Sequence, residues 1–142
     1  MFVTRHLFAA AAISLAVLSG GCSTTRLLHQ SPANIRDSLI KRTPVGTRQE
    51  DVVTFLKKEG WPASTSTNVP MMGIAGGPMR PLVDYPGIAG HIPDGEVKST
   101  LQAELGSIWI WPLFQKNVEA YWLFGTDNQL LDIWVYKYIE GP

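Results

Sequence analysis

The sequence has one cysteine, three histidines and no excess of charge of either sign. One cysteine excludes an internal disulfide framework and any zinc site built from several thiolates. Twelve basic and twelve acidic side chains balance to a formal net charge of zero. We therefore expect no nucleic-acid partner, because binding to the phosphate backbone needs a surplus of lysine and arginine. The 142 residues leave room for one domain of ordinary size.

The apolar run near the N-terminus is too short to cross a membrane. Its twelve apolar or small residues, at positions 7–18, would span about 18 Å as a helix, whereas the hydrocarbon core is about 30 Å thick. Arg5 precedes the run and small residues follow it, which is the order of a secretory signal peptide. The sequence therefore predicts a signal peptide over residues 1–21.

The single cysteine, Cys22, directly follows this segment. Residues 18–22, LSGGC, resemble the lipobox of bacterial lipoproteins, although the leucine lies four residues before the cysteine and not three. The resemblance implies cleavage before Cys22, acylation of its thiol and membrane lipid as its partner. Ser23 stands where lipoproteins retained in the inner membrane commonly have aspartate, which favours the outer membrane and a periplasm-facing protein. Ordinary cleavage that leaves a free thiol is the alternative.

Two helices are predicted at the start of the mature chain, after a short tether over residues 22–30. Ser31 and Pro32 are suited to the N-cap and first helical position, and Thr43 precedes a proline that ends the first helix. For the second helix, Thr47 and Glu50 match a capping box. The apolar stripe that follows, and Gly60 as a stop, predict a helix over residues 48–59.

Residues 62–95 contain six prolines and six glycines, a density that argues against both helix and strand. A stretch of this length without secondary structure is usually a functional loop or disordered. Its few charged residues leave open a loop that lies against an apolar surface.

From residue 96 onward the hydrophobic period changes to two, which is typical of half-buried strands. One strand covers residues 96–105 and continues to residue 111 beyond a bulge at Gly106. Two more, over residues 118–124 and 131–135, flank a polar turn and form an antiparallel hairpin. The predicted fold is α+β: two helices packed on a three-stranded antiparallel sheet, in a single domain over residues 31–142.

Aromatic residues concentrate in these strands, and side-chain alternation sorts them by face. If Val118, Ala120, Trp122, Phe124, Leu131, Ile133 and Val135 face the helices, the opposite face carries a set of aromatic residues. This candidate binding face consists of Trp109, Trp111, Tyr121, Trp134, Tyr136 and Tyr138. The long loop, a second copy or a partner would cover it, or the aromatic rings would remain exposed.

Catalytic and metal-binding patterns are sparse. His91 with Asp94 and Asp84 falls short of the three or four ligands and supporting shell of a metal site. Glu104, Glu119 and Asp132 are isolated carboxylates on strands, and the glycine-rich residues 73–77 lack the lysine that completes a phosphate-binding loop. We therefore expect no enzyme activity, no metal and no cofactor.

Three segments together resemble small envelope lipoproteins of the BamE (SmpA/OmlA) type. They are the lipobox-like start, the PVGTRQEDV opening of the second helix at residues 44–52, and the closing strands over residues 118–124 and 130–135. The resemblance covers about half of the mature chain. It departs at residues 58–62, KEGWP, where that family tends to have Leu-Gly-x-Pro, and in the length of the loop. It implies a two-helix, three-strand fold and an accessory role in assembly of outer-membrane barrels.

The expected function is therefore that of a non-enzymatic outer-membrane lipoprotein that binds an envelope protein through its sheet. The alternative is a module that binds a glycan or small ligand, with tryptophan and tyrosine rings stacked on sugar faces.

Overall fold

A computed structural model describes residues 26–67, 70–72, 80–81, 88–91 and 93–142. Two helices, α1 (Pro32–Arg42) and α2 (Gln49–Glu59), precede the strands. They are followed by the strands β1 (Ala63–Ser66), β2 (Met71–Met72), β3 (Arg80–Pro81), β4 (Ile88–Ala89), β5 (Ser99–Trp111), β6 (Phe114–Phe124) and β7 (Leu130–Glu140).

Five strands form one antiparallel sheet in the order β1-β5-β6-β7-β4, and β2 pairs separately with β3. The α+β class is confirmed. The expectation of three strands is wrong, because β1 and β4 add to the two edges of the β5-β6-β7 meander. There is also a further helical segment, at residues 26–28.

The short strands lie within residues 62–95, where the proline and glycine content argued against strand. β1 pairs with β5 from Ala63 opposite Ala103, and β4 pairs with β7 from Ile88 opposite Tyr136. An edge strand of two to four residues needs only backbone partners on one side. Such a strand therefore leaves no alternating pattern long enough to be recognised in the sequence.

Helix α1 begins and ends as predicted. The Ser31 side chain accepts a hydrogen bond from the Asn34 backbone N–H at 3.2 Å, and Thr43 is the C-cap. Helix α2 ends at Gly60, whose φ of 73° is the left-handed conformation that glycine adopts at low cost. The predicted capping box is wrong, however. Arg48 is the N-cap, without a side-chain hydrogen bond, and the Thr47 hydroxyl donates to the Pro44 carbonyl.

The main core lies between the helices and one face of the sheet. Ile35 and Leu39 of α1 and Val52 and Leu56 of α2 are completely or almost completely buried against it. The sheet contributes Leu101, Ala103, Leu105, Val118, Ala120, Trp122, Phe124, Leu130, Ile133 and Val135. The buried Trp122 indole N–H donates to the Thr43 hydroxyl, which donates in turn to the Leu39 carbonyl. The end of α1 is thereby tied to the central strand.

One predicted core residue is replaced by its neighbour. The register shifts between Leu123 and Phe124, which sets Phe124 opposite Leu130 and leaves Leu131 as the extra residue of β7. Leu130 therefore joins the core, whereas Leu131 is half-buried. A second shift, between Glu104 and Gly106, is the predicted bulge in β5.

The first described residues of the chain pack against the sheet. Leu27 and Leu28, which the sequence assigned to the tether, are buried in the main core. Leu28 packs next to Gly106, where an added Cβ would lie 3.1 Å from the leucine. The Lys137 ammonium donates to the carbonyls of Leu28 and Gln30 at 2.6 and 2.7 Å. The packed domain therefore includes residues 26–30.

Candidate functional site

The face of the sheet opposite the helices, called the outer face below, has its own small core. Tyr121, Leu123 and Trp134 are buried there, with Ile88, Val97 and Tyr136 packed around them. Trp134 is completely buried, and its indole N–H donates to the His91 carbonyl at 2.6 Å. Residues 88–91, called the strap below, thus cover part of the aromatic face that the sequence left open.

The strap approaches Trp134 so closely that only glycine fits at position 90. A Cβ added to Gly90 would lie 2.3 Å from the indole Cδ1. At Gly95, in the same connection, an added Cβ would meet only Leu131, at 3.5 Å. The close packing at Gly90 therefore depends on the missing side chain.

We expect Gly90→Ala to destabilise the protein by about 1–3 kcal/mol, the usual cost of overpacking. Gly95→Ala is the matched control and should change the free energy of unfolding little. Urea unfolding followed by tryptophan fluorescence measures both. Equal unfolding midpoints for the two variants would contradict the close packing of the strap on Trp134.

An ionic network anchors the strap at the edge of β7. The Asp132 carboxylate accepts from Arg36 of α1 at 2.5 Å and from the His91 backbone N–H at 2.8 Å. Arg36 also donates to the Ile133 carbonyl at 2.9 Å and lies 3.1 Å from the His91 ring Nδ1. The network thus connects the first helix, the last strand and the strap.

The same network bears on the weak metal-site hypothesis. The His91 ring lies beside the Arg36 guanidinium, a permanent cation that disfavours a metal ion there. Among the residues that the structure describes, no group of three or more histidine, cysteine, aspartate or glutamate side chains could hold a metal. Asp84 and the glycine-rich residues 73–77 lie outside the described residues.

Glu119 is the polar centre of the outer face. Its carboxylate accepts from the hydroxyls of Tyr121 and Tyr138, at 2.6 and 3.0 Å, and from the Gln102 amide at 3.3 Å. Tyr136 stacks on Tyr138 with 5.0 Å between ring centroids. Tyr136 and Tyr138 are half-buried, so part of each ring remains accessible. The arrangement holds two aromatic rings in place beside a carboxylate.

Burial and Glu119 together keep these tyrosines protonated. Burial, followed by the hydrogen bond and charge of Glu119, raises the pKa of Tyr138 from 10.0 to about 12. The same causes in the same order raise the pKa of Tyr121 further above its ordinary value. Both hydroxyls therefore act as donors to Glu119 throughout the neutral range.

These shifts predict a loss of stability at high pH. The folded state holds the Tyr138 proton more tightly than the unfolded state, so its contribution is complete below about pH 10. That contribution is lost as the pH rises through about 12. In Glu119→Gln, we expect tyrosinate absorbance to develop at lower pH than in the unchanged protein, with Glu104→Gln as the control. Identical titrations of all three proteins would contradict the role of Glu119.

The end of the β5–β6 hairpin, residues 109–114, forms a third feature, called the hairpin tip below. Trp109 and Trp111 are 67% and 71% exposed, although most tryptophan surface is ordinarily buried. Ile110, Leu113 and Phe114 are also exposed, as is Ile139 of the adjacent strand. The tip contains no charged residue. It is therefore a contiguous apolar surface, a feature that usually marks a contact site.

The structure divides the six predicted face residues into three groups. Tyr121 and Trp134 are buried, so neither offers a ring to a partner, and of the alternatives left open for the face, coverage by the chain itself applies to these two. Tyr136 and Tyr138 remain partly accessible on the outer face, whereas Trp109 and Trp111 belong to the hairpin tip. The sequence missed Glu119 as the centre of the tyrosine cluster. The sequence signal that indicated the hairpin tip was the run of uncharged residues at 109–114.

Two predictions concern the N-terminal segment. The signal peptide over residues 1–21 and the acylated Cys22 lie outside the described residues. Within the described part of the chain, no helix is long and apolar enough to cross a membrane.

No protein-family model matches this chain, and no curated protein and no solved structure matches it either.

A cavity of about 630 Å³ lies between the start of α2 and the β6–β7 turn, at the opposite end of the sheet from the hairpin tip. Its lining includes Arg48, Glu50 and Asp127. Arg48 and Glu50 form an exposed ion pair at 3.3 Å, and an exposed pair contributes little binding energy. The outer face and the hairpin tip are the stronger candidates.

Proposed function

We propose that this protein is a non-enzymatic lipoprotein of the outer membrane, anchored through Cys22 and facing the periplasm, which binds an envelope protein with its outer face. The lipobox-like residues 18–22 support the anchor. The helices precede the β5-β6-β7 meander, as the resemblance to BamE-type lipoproteins implies, although β1 and β4 extend the sheet to five strands. An accessory role in barrel assembly is the specific form of this proposal.

The observation that carries the binding role is the tyrosine pair beside Glu119. The strap covers the outer face only as far as β4, which pairs with Val135 and Tyr136. Tyr136, which is paired with β4, and Tyr138 beyond it are stacked and partly exposed. Tyrosines are enriched where proteins bind each other, because they supply contact area and a hydrogen-bonding group together. Rings already held in place also lose less conformational entropy on binding.

Surrounding polar groups suit a protein partner. Glu104 lies directly opposite Glu119 in the strand register and is exposed. Asn117 lies opposite Tyr138 and donates to the Glu140 carboxylate at 2.9 Å. The tyrosine pair is thus bordered by carboxylates, which favours a partner surface that offers lysine, arginine or backbone N–H groups.

Photo-crosslinking in cells tests this proposal. A photoreactive phenylalanine at Tyr136 should form a discrete heavier adduct with a protein, which mass spectrometry of the band would identify. The same probe at Lys57, exposed on α2, is the control and should form none. Absence of an adduct from Tyr136, or the same adduct from both positions, would contradict binding through the outer face.

The glycan-binding alternative has its own outcome. Trp109 and Trp111 are the exposed tryptophans of the described chain and would report a sugar stacked on them. We expect tryptophan emission to stay unchanged when soluble peptidoglycan fragments are added. A saturable shift would favour the glycan-binding module over the protein-binding subunit.

A further inference from the structure

We propose that the hairpin tip inserts into the lipid surface next to the acyl anchor and thereby orients the sheet on the membrane. This inference rests on the anchoring at Cys22 proposed above, and it assigns the tip to lipid and the outer face to protein. Three observations on the described residues carry it.

The first observation is the chemistry of the tip. Trp109, Ile110, Trp111, Leu113 and Phe114 are all exposed, without a charged residue among them. Protein interfaces normally combine such an apolar centre with a polar rim. In the tip, the tryptophan indole N–H groups are the side-chain hydrogen-bonding groups. Tryptophan has a particular preference for the boundary between lipid headgroups and hydrocarbon, where the ring is apolar on one side and hydrated at the N–H.

The second observation is the place where the chain enters the domain. Leu28 packs next to Gly106, and Lys137 holds the carbonyls of Leu28 and Gln30. Gly106 and Lys137 share a cross-strand row through Val118. From that row to Trp111 is five residues of strand, or about 17 Å. The N-terminal chain therefore reaches the sheet on the half that ends in the hairpin tip.

Chain length keeps Cys22 close to the place where the chain enters the domain. Cys22 is four residues before Arg26, where the described helical segment begins, and four residues of chain span at most about 14 Å. The β6–β7 turn lies in the opposite direction, and its end of the sheet is contacted by the loop between the helices, since Gly46 donates to the Leu130 carbonyl. Of the two ends of the sheet, the tip is thus the one nearer to the place where the chain enters.

The third observation is the charge next to the tip. Lys116 and Ile139 are neighbours in the row adjacent to the tip, and Arg26 is exposed where the chain enters. Lysine and arginine near a bilayer are attracted to anionic headgroups. Glu140 lies opposite Gln115, in the row of Trp109, and its carboxylate accepts a hydrogen bond from the Asn117 amide. Lys116 and Arg26 therefore outnumber Glu140 on the side where the chain enters, which favours a surface that contains anionic lipid.

Quenching by brominated lipid tests the insertion. The full protein, purified from membranes, is reconstituted with vesicles of phosphatidylethanolamine and phosphatidylglycerol, with or without bromine on the acyl chains. Trp61, Trp122 and Trp134 are buried, so quenching reports on Trp109 and Trp111. Trp109 and Trp111 are two of the five tryptophans. We expect brominated lipid to reduce the total tryptophan emission by at most the part that these two residues contribute.

Two glutamate substitutions distinguish insertion of the hairpin tip from an effect that any exposed apolar side chain would have. Leu113→Glu adds a charge to the tip and leaves both reporters in place, and we expect it to abolish most of the quenching. Val45→Glu is the matched control, since Val45 is exposed to a similar extent, 59% against 62%, in the loop at the opposite end. In a Cys22→Ser background, Leu113→Glu should weaken vesicle binding about tenfold, as the loss of one buried leucine implies.

The outcomes separate this inference from the proposed anchor. Flotation of the protein with vesicles after an alkaline wash measures the anchor, whereas quenching measures the tip. Quenching that Leu113→Glu abolishes and Val45→Glu retains would support the inference, whatever the flotation result. Absence of quenching, or equal quenching in both variants, would overturn it even if the protein stays anchored. A discrete protein adduct from a photoreactive probe at Trp111 would also overturn it.

Discussion

Replacement of Cys22 by alanine is expected to convert the protein from an integral component of the membrane fraction to one released by an alkaline wash. The thiol is the acylation site that the lipobox-like residues 18–22 predict. Each methylene of an acyl chain that enters the bilayer contributes about 0.8 kcal/mol, so several chains hold a protein effectively permanently. The hairpin tip alone has a few exposed apolar side chains and should give only reversible binding.

Ser23→Ala is the matched control for this experiment. It alters the neighbouring residue and leaves the thiol, so the protein should remain in the washed membranes. Mass spectrometry of the N-terminal peptide should show acyl groups in the control and none in Cys22→Ala. Retention of Cys22→Ala in washed membranes would contradict the anchor.

Removal of the Asp132 carboxylate is expected to cause a large loss of stability. Asp132→Ala leaves Arg36 without its buried partner and leaves the His91 N–H without an acceptor. The Arg36 and Asp132 side chains are only 15% and 7% exposed. Breaking an ion pair at this depth by removal of one partner costs about 3 kcal/mol. The free energy of unfolding in urea measures the effect.

Asp37, which neighbours Arg36 in the same helix, provides a matched control. Asp37 lies 4.0 Å from the other terminal nitrogen of Arg36 and is 65% exposed. Asp37→Ala should therefore change stability by no more than a few tenths of a kcal/mol. Asp132→Ala should also speed exchange of the Trp134 indole hydrogen, because the strap loses its attachment to β7. Similar effects of the two substitutions would show that the Arg36–Asp132 pair contributes little.

Together, the anchor, the membrane contact of the hairpin tip and the protein contact of the outer face that we propose would define one orientation. If Cys22 and the tip lie in the membrane, the strands stand away from the bilayer and the row of Tyr138 lies nearer to it than Trp134. The tyrosine pair then faces sideways above the membrane surface. That position would suit contact with the proposed envelope partner, because confinement of both proteins to one surface raises their effective concentration.

Local sequence patterns were sufficient to predict the helices and strands whose ends or alternation depend on neighbouring residues. Ser31, Pro32 and Thr43 bound α1 because caps depend on neighbouring residues, and Gly60 ends α2 because glycine adopts a left-handed conformation. The long strands β5, β6 and β7 each supply enough alternation to be recognised. The sequence shows that residues 109–114 contain no charge. It does not show whether these residues are buried.

Tertiary structure decided the rest, because the deciding contacts join residues far apart in the chain. The strap reaches Trp134 through Gly90 and His91, more than forty positions earlier, and no local pattern encodes that contact. Edge strands β1 and β4 form through backbone hydrogen bonds that any sequence of suitable shape can make. Asp132 looked like an isolated surface carboxylate until α1 brought Arg36 to it.

The sequence by itself determined the α+β class, both helices, the hairpin and the aromatic content of its strands, since each follows from spacing within a few residues. Only the tertiary structure decided which aromatic residues are accessible. Tyr121 and Trp134 alternate along their strands as Trp109 and Tyr136 do, yet the first two are buried in a cluster to which Ile88 and Val97 contribute. Exposure depends on what the rest of the chain places over a residue, and that is a property of packing between distant segments.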